Sequence, residues 1–329
     1  MIKGEFMDTK SLVNEAKQAV AAASYSPKKL TALHTGISAA ASLLVALLTY
    51  LLNTSIGDAT GLDGIGTHAA METAQSMLQL ALSILAPFWG LGFVAAALHL
   101  ARQQQASPQT LLSGFRRWAP ALRMLLLEGV IYFAITFAAV QLGSFLYTMT
   151  PFAAPLNQLL EQLATSGTAD TAALTQLLLE LDHGALMGIF WSMIPFMVLP
   201  ALAIIVPVSY RLRMAQFILM DQPQVGALFA IVLSFRLMKK NCVKLFVLDL
   251  RFWWFYALEV VVQILCYGDL LLPLVGVELG MDGVLASFLF YALALVGQTG
   301  LYVWQKPQVF TSYALFYDGL LPKEQPAEM

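Results

Sequence analysis

Several ionisable side chains lie inside long apolar stretches of the sequence. Glu259 is near the middle of one stretch, and Glu128 is in the first half of another. If these stretches cross a bilayer, a charge near its centre costs roughly 2.5–3.5 kcal/mol, so the side chain must face protein or water, or be protonated. The position of Glu259 therefore predicts a role in proton coupling or cation binding. The alternative is a protonated carboxyl group that is hydrogen-bonded between helices.

Other ionisable residues lie closer to the ends of the same stretches: Asp249, Arg251, Arg123, His34 and His99. Together with the two glutamates, they form the predicted intramembrane polar site for a ligand or a proton. For the two arginines and the aspartate, the alternative is a structural ion pair or a contact with lipid phosphate near the membrane surface.

Motifs of common catalytic chemistry are missing from the sequence. It contains no G-x-S-x-G or H-E-x-x-H segment, and no Gly-Lys-Ser/Thr follows its glycine-rich stretch. His68 and Glu72 have the spacing of two ligands on one helix face, but no second pair completes a metal site. We therefore expect no enzyme activity, no metal and no cofactor, with an intramembrane lipid-modifying enzyme as the remaining alternative.

The composition identifies the class of protein. Of its 329 residues, 59% are hydrophobic and 12% are charged, whereas soluble proteins average about 45–50% and about 25%. An ordinary soluble enzyme, a disordered chain and a collagen are therefore excluded, and two cysteines are too few for a disulfide scaffold. The remaining class is an all-α, polytopic membrane helix bundle.

Six apolar windows are long enough to cross a membrane as helices, which takes about 20 residues. They run approximately over 31–52, 76–101, 121–148, 185–209, 245–268 and 284–304. The fifth window is the weakest, because it contains Asp249, Arg251 and Glu259. The six-span membrane domain, 31–304, then lies between a cytoplasmic N-terminal segment, 1–30, and a cytoplasmic C-terminal tail, 305–329.

The basic residues indicate the orientation of these spans. All 18 lysines and arginines lie before the first window, at or near the links that follow the second and fourth windows, or after the sixth. The other connections carry acidic residues instead. The positive-inside rule therefore predicts that both termini are cytoplasmic, in a plasma membrane. Because the basic residues follow the topology, nucleic-acid binding is not expected.

Three stretches on the cytoplasmic side predict amphipathic helices that lie in the membrane interface: 8–24, the segment after Ser107-Pro108, and the segment after Asp221-Gln222-Pro223. Their basic side chains, and those that follow, are predicted to contact anionic lipid or a partner: Arg116, Arg117, Arg236, Lys239, Lys240 and Lys244. On the outer side, residues 150–184 predict a short helical hairpin.

Short segments over most of the chain resemble a bacterial membrane protein family known as domain of unknown function 975. They are SFRLMKKN at 234–241, KLFVLDL at 244–250, WW at 253–254, YRL at 210–212, DQP at 221–223, PFWGLG at 87–92, KP at 306–307 and ALFY at 314–317. The resemblance implies a multi-pass bacterial membrane protein with a helical core. It implies no activity and no catalytic residues, and it makes Lys240, Lys244 and Asp249 the first positions to mutate.

Two functions are compatible with these features. We expect a non-enzymatic membrane protein that binds or transports a small or lipid-like molecule. The alternative is a structural or scaffolding subunit whose inner basic helices recruit a partner. Membrane lipids are expected contacts in both cases, and a protein partner or a homo-oligomer is compatible with either. A continuous polar cavity that reaches Glu128 or Glu259 favours the first function, and a core filled by side chains favours the second.

Overall fold

The computed structural model describes residues 8–56, 62–165, 183–222, 224–268, 272 and 283–321, and this part of the chain is helical with no strand. Its α-helices are α1 (Thr9–Ala22), α2 (Pro27–Ile56), α3 (Leu62–Ala101), α4 (Ser113–Arg116), α5 (Trp118–Thr148), α6 (Ala154–Thr165), α7 (His183–Leu212), α8 (Ala215–Asp221), α9 (Ala227–Met238), α10 (Cys242–Leu250), α11 (Trp253–Cys266) and α12 (Gly283–Leu320). The all-helical prediction is confirmed.

Five of the six predicted windows fall in helices that are long and apolar enough to cross a membrane. The qualifying segments are Pro27–Leu48, Ser76–Ala101, Trp118–Thr148, Gly188–Asp221 and Leu285–Leu320. Many large apolar side chains on them are exposed, such as Phe133 (74%) and Trp191 (67%). Exposed apolar surface of this extent is typical of helices that face lipid. The chain is therefore a membrane-embedded helical protein.

The window 245–268 is not one continuous helix. α10 ends at Leu250 and α11 begins at Trp253. Between them, the Arg251 amide donates to the Leu248 carbonyl at 3.1 Å and the Phe252 amide donates to the Asp249 carbonyl at 2.8 Å. These are the shorter steps of a 3₁₀ turn. α11 alone is about 21 Å long, which is less than the hydrocarbon thickness of about 30 Å.

The last helix continues far beyond the end of the sixth window at 304. α12 runs from Gly283 to Leu320, so it contains most of the predicted C-terminal tail. Lys306 and Pro307 end the apolar window but not the helix. The added turns are helical because they bury an aromatic face: Tyr313, Phe316 and Tyr317 are each at most 2% exposed. This packing outweighs the local sequence signals that indicate an end.

The chain divides into two compact units, unit 1 (Met1–Leu125 and Arg213–Met329) and unit 2 (Leu126–Leu212). In unit 1, α12 packs against α1, α2, α3 and α11. A core cluster of the same unit contains Leu30, Phe93, Ala96, Leu100, Ala106 and Leu111. The helix predicted within 8–24 is present as α1, and its Leu12, Ala16 and Ala19 are buried. That apolar face is therefore covered by protein.

The link after α3 begins as its sequence predicts. Ser107 is the N-cap and Pro108 the first residue of a 3₁₀ helix, Pro108–Leu112. The Ser107 amide donates to Thr110 Oγ1 at 3.2 Å. α4 follows directly, and we call the segment 108–116 the α3–α5 link.

Two glycines let the α3–α5 link touch α3 backbone to backbone. A Cβ atom on Gly92 would collide with the Leu111 carbonyl, and a Cβ atom on Gly114 would collide with the Phe88 carbonyl. We call this contact the glycine clamp. It accounts for the last glycine of the PFWGLG motif and for Gly114, since only glycine fits where two backbones approach this closely.

Unit 2 contains α6, α7 and most of α5. Tyr147 of α5 is 1% exposed; its hydroxyl donates to the Phe152 carbonyl at 3.0 Å and lies 3.1 Å from Ser192 Oγ of α7. α6 supplies the first helix of the predicted outer hairpin. The second predicted helix falls on 166–182, outside the described residues.

Candidate functional site

Unit 1 contains a cavity of about 660 Å³ among α2, α3, the α3–α5 link and α12; we call it the groove. Its apolar walls include Ile37, Leu82, Leu85, Trp89, Leu112 and Phe115. Its polar groups are Ser38, Ser42, Gln79, Ser83 and Tyr291. None of the described residues that line it carries a charge. The groove therefore suits an apolar ligand with a few hydrogen-bonding atoms.

His34 packs against Trp89, one of the residues that line the groove. The two rings are stacked with centroids 5.8 Å apart, and Trp89 Nε1 donates to the His34 carbonyl at 3.0 Å. His34 is 7% exposed, and neither ring nitrogen has a hydrogen-bond partner in the described part of the chain. His34 thus acts here as an aromatic packing group that holds Trp89 in place.

Glu259 is bound by a phenol and does not line the groove. The Tyr302 hydroxyl donates to Glu259 Oε1 at 2.5 Å, and Gln298 Nε2 donates to the Tyr302 oxygen at 3.1 Å. Lys306 Nζ lies 4.7 Å from the centre of the Tyr302 ring and 5.1 Å from that of Phe93. The Glu259 carboxylate therefore accepts a hydrogen bond between α11 and α12, and the Lys306 ammonium lies against aromatic ring faces.

Asp249 forms an ion pair with an arginine that the sequence analysis did not select. Arg213 donates to Asp249 Oδ2 at 2.6 Å, and the Tyr313 hydroxyl donates to Oδ1 at 2.5 Å. The Arg213 guanidinium lies 4.5 Å from the centre of the Tyr313 ring, and the Tyr256 hydroxyl is hydrogen-bonded to the Tyr313 hydroxyl. We call these four residues the Asp249 cluster; their geometry matches the structural alternative.

A second ion-pair cluster joins the ends of α3, α8 and α12. Arg102 donates to Asp221 at 2.5 Å and to the two carboxylate oxygens of Asp318 at 2.7 and 3.2 Å. The Tyr317 hydroxyl donates to Asp221 at 3.1 Å. The hydrogen bonds to Asp221 and then to Asp318 raise the pKa of Arg102 above its already high ordinary value. We call this group the Arg102 cluster.

The other predicted polar residues lie apart from these clusters. Arg251 Nε donates to Thr9 Oγ1 at 2.9 Å, and His99 Nδ1 lies 3.2 Å from the Gln105 carbonyl oxygen. Glu128 is buried in unit 2, whereas Arg123 is exposed in unit 1. Within unit 1, Glu259, Asp249, Arg251, His99 and His34 therefore take part in separate contacts.

The predicted basic contacts are mostly on the surface. Arg117 donates to the Leu219 and Met220 carbonyls at 3.3 and 3.0 Å, near the end of α8, where a cation also complements the helix dipole. The exposed members are Arg116, Arg236, Lys239 and Lys240, and Lys244 is half-buried. None of these last five forms an ion pair with another residue that the structure describes.

The residues that α12 contributes are not among the predicted site residues. Tyr302, Lys306, Tyr313, Tyr317 and Asp318 all take part in these contacts. The available signal was the family-like segment 306–317, in which Tyr313 and Tyr317 are four residues apart and share a helix face.

The family comparison covers the same residues. The family described as a protein of unknown function (DUF975) matches residues 31–324, a range that contains the groove and both ion-pair clusters. No curated protein matches the chain, and no solved structure matches it. Since the match extends over most of the sequence, the chain belongs to the DUF975 family, whose function is unknown.

Proposed function

We propose that this protein binds a lipid-like molecule in the groove, within a bacterial cytoplasmic membrane. The observation that carries the proposal is the groove itself, an uncharged cavity of about 660 Å³. Residues 37–45 of α2 and 79–89 of α3 line it, and both stretches lie in segments that qualify as membrane spans. A ligand at this depth comes from the bilayer, and each buried methylene group contributes about 0.8 kcal/mol.

Binding is better supported than proton-coupled transport. Glu259 is held by Tyr302 and is not among the groove residues. The polar groups that do line the groove are hydroxyls and one amide, which orient a ligand without requiring a charge on it. The geometry therefore favours a molecule with one long apolar part and a small hydrogen-bonding part.

The proposed topology keeps both termini in the cytoplasm and six crossings. α10 and α11 together are the fifth crossing, interrupted at Arg251 and Phe252. With five crossings, the two lysines after residue 304 would lie outside, against the positive-inside rule. Cysteine labelling of intact cells tests this: Glu161→Cys should react with an impermeant reagent, whereas Lys10→Cys and Lys323→Cys should react only after permeabilisation. External labelling of Lys323→Cys would contradict six crossings.

Ligand binding is tested by filling the groove. Ala86→Trp should reduce saturable binding of a fluorescent C16 fatty acid to the purified protein by about tenfold or more, since the new ring occupies the space of the chain. The matched control is Ala203→Trp, which fills a cavity of about 640 Å³ in unit 2. Native mass spectrometry of the same samples reports any co-purified lipid. No saturable binding by the unmodified protein, or equal loss in both variants, would refute the proposal.

Partner recruitment is the second candidate function, and one surface favours it. Arg236, Lys239 and Lys240 are exposed. On α9, the helix that contains Arg236, Leu228 and Phe229 are 64% and 56% exposed. Charge reversal at the three basic positions should release a cytoplasmic partner in a cross-linking pull-down. An unchanged set of captured proteins would count against this function.

A further inference from the structure

Unit 1 contains a smaller cavity at the junction of α10 and α11. It has a volume of about 250 Å³ and is formed by three elements: α1, the α10–α11 junction and α12. Its lining is Val13, Lys17, Arg251, Phe252, Trp254, Gln305 and Gln308. We call it the junction pocket. It shares no residue with the groove.

Two cations and two amides line the junction pocket, and no acid does. Neither Lys17 nor Arg251 forms an ion pair among the residues described. Thr9 Oγ1 accepts from Arg251 Nε at 2.9 Å. That bond orients the guanidinium plane and leaves its terminal nitrogens available as donors. The pocket thus has a positive charge that no described carboxylate neutralises.

Gln305 supplies an independent sign of a missing partner. It is 6% exposed, and its Oε1 atom is buried with no hydrogen-bond partner in the described part of the chain. Buried polar atoms in folded proteins are nearly always hydrogen-bonded. Rotating the terminal amide exchanges its oxygen and nitrogen and places an N–H donor where the unsatisfied oxygen lies.

The break between α10 and α11 fits a ligand site. Irregular backbone near a membrane is tolerated where it is covered by protein or lines a cavity. Phe252, which separates the two helices, is one of the residues that line the pocket. Interrupted helices in membrane proteins commonly bind ions or polar groups at the interruption.

We propose that the junction pocket binds a phosphate group through Lys17, Arg251 and the amide of Gln305. Arginine and lysine together match the charge of a phosphate, and arginine can donate two parallel hydrogen bonds to it. The source is either the headgroup of an anionic phospholipid or free inorganic phosphate. The junction pocket is separate from the groove. A failure of ligand binding in the groove would therefore not count against phosphate binding in the junction pocket.

Calorimetric titration of the full-length protein in neutral detergent tests this assignment. One titrant is inorganic phosphate, and the other is short-chain phosphatidylglycerol, with short-chain phosphatidylcholine as the charge-neutral comparison. Lys17→Gln and Arg251→Gln should each weaken binding by about tenfold or more, because each removes a charge-assisted hydrogen bond. Lys10→Gln is the matched control, because Lys10 is an exposed lysine on the same helix, α1, and does not line the pocket.

The titrations distinguish the two sources of the phosphate group from the absence of a site. Saturable binding of phosphatidylglycerol alone supports the site and assigns a lipid headgroup; binding of inorganic phosphate supports it and assigns the free anion. No saturable binding of either titrant overturns the proposal, and so does an equal loss in Lys10→Gln and Lys17→Gln. Arg251→Gln also removes a contact with Thr9, so thermal unfolding of both variants checks that they are folded. If Arg251→Gln is unfolded, the binding measured for Lys17→Gln decides the result, because Lys17 is exposed.

Discussion

Unit 1 joins its helices through charged and phenolic side chains, whereas the polar contact described in unit 2 centres on Tyr147. In unit 1, Asp249 and Asp318 each bind an arginine from another part of the sequence. In unit 2, the Tyr147 hydroxyl bridges to Phe152 and Ser192. Unit 2 also carries large exposed apolar side chains, such as Phe133, which is 74% exposed.

The two kinds of contact should respond differently to substitution. Exposed apolar faces need only lipid, and one apolar side chain can replace another there at small cost. Paired charges and close backbone contacts tolerate far less change, because their partners remain buried when one member is removed. We therefore expect substitutions at the glycine clamp and in the two ion-pair clusters of unit 1 to be more damaging than the loss of the Tyr147 hydroxyl in unit 2.

The largest expected effect is at the glycine clamp. Gly92→Ala should destabilise the protein by about 3 kcal/mol or more, because its methyl group meets the Leu111 backbone, which cannot move aside as a side chain can. Thermal unfolding and the yield of monodisperse protein in detergent measure the loss. Gly90→Ala is the control, since its Cβ would have no neighbour within 4 Å. Equal loss in both variants would show that the clamp is not a special contact.

The Asp249 cluster should give the next largest effect. Asp249→Asn leaves the Arg213 charge without its carboxylate partner, which should cost about 2–3 kcal/mol. Chemical denaturation followed by tryptophan fluorescence provides the measurement. Arg236→Gln is a suitable control, because Arg236 is exposed. A loss below that of the control would mean that the ion pair contributes nothing to stability.

The Arg102 cluster should give an intermediate effect with a defined pH dependence. Arg102→Gln should cost about 1–2 kcal/mol, and Arg102→Lys should recover part of it, since lysine keeps the charge but not the paired donors to Asp318. Because the pKa of Arg102 is raised, its stabilisation is complete below the unfolded value and is lost only above the folded one.

Both of those values lie far above neutral pH. The stability difference between the unmodified protein and Arg102→Gln should therefore be constant from about pH 7 to about pH 10. Denaturation curves at a series of pH values measure it. A difference that shrinks steadily across this range would contradict a permanently charged Arg102.

The smallest effect is expected in unit 2. Tyr147→Phe removes the hydroxyl that contacts Phe152 and Ser192 but keeps the buried ring. The loss should be about 1 kcal/mol, the usual net value of a neutral hydrogen bond. Denaturation under the same conditions as for Asp249→Asn allows a direct comparison. A larger loss in Tyr147→Phe than in Asp249→Asn would remove the distinction between the units.

Much of the fold could be predicted, because local patterns determine it. Apolar windows locate long helices, and Ser107-Pro108 is a local signal for the first turn of the α3–α5 link. Because hydropathy is averaged over a whole window, a short interruption of the helix inside that window is not detected. The 3₁₀ turn at Arg251 and Phe252 lies inside an apolar stretch and has no glycine or proline to mark it.

Most of the candidate site could not be predicted, because it depends on contacts between residues far apart in the sequence. For Asp249 the sequence left a structural ion pair as the alternative, but its partners, Arg213 and Tyr313, are known only once the helices are packed. His34 was selected for its possible charge and instead packs against Trp89. Pairing of this kind is a property of the tertiary structure, and one sequence carries no direct record of it.

The position of α12 after the other helices of unit 1 has a consequence for biosynthesis. Both arginine clusters obtain a tyrosine from α12, and α1 and α2 pack against this same helix. Unit 1 therefore cannot be completed until translation has produced α12. Until then, Arg102 and Arg213 lack partners that the finished protein gives them, and the nascent chain depends on lipid and membrane-insertion factors to shield its unfinished surfaces.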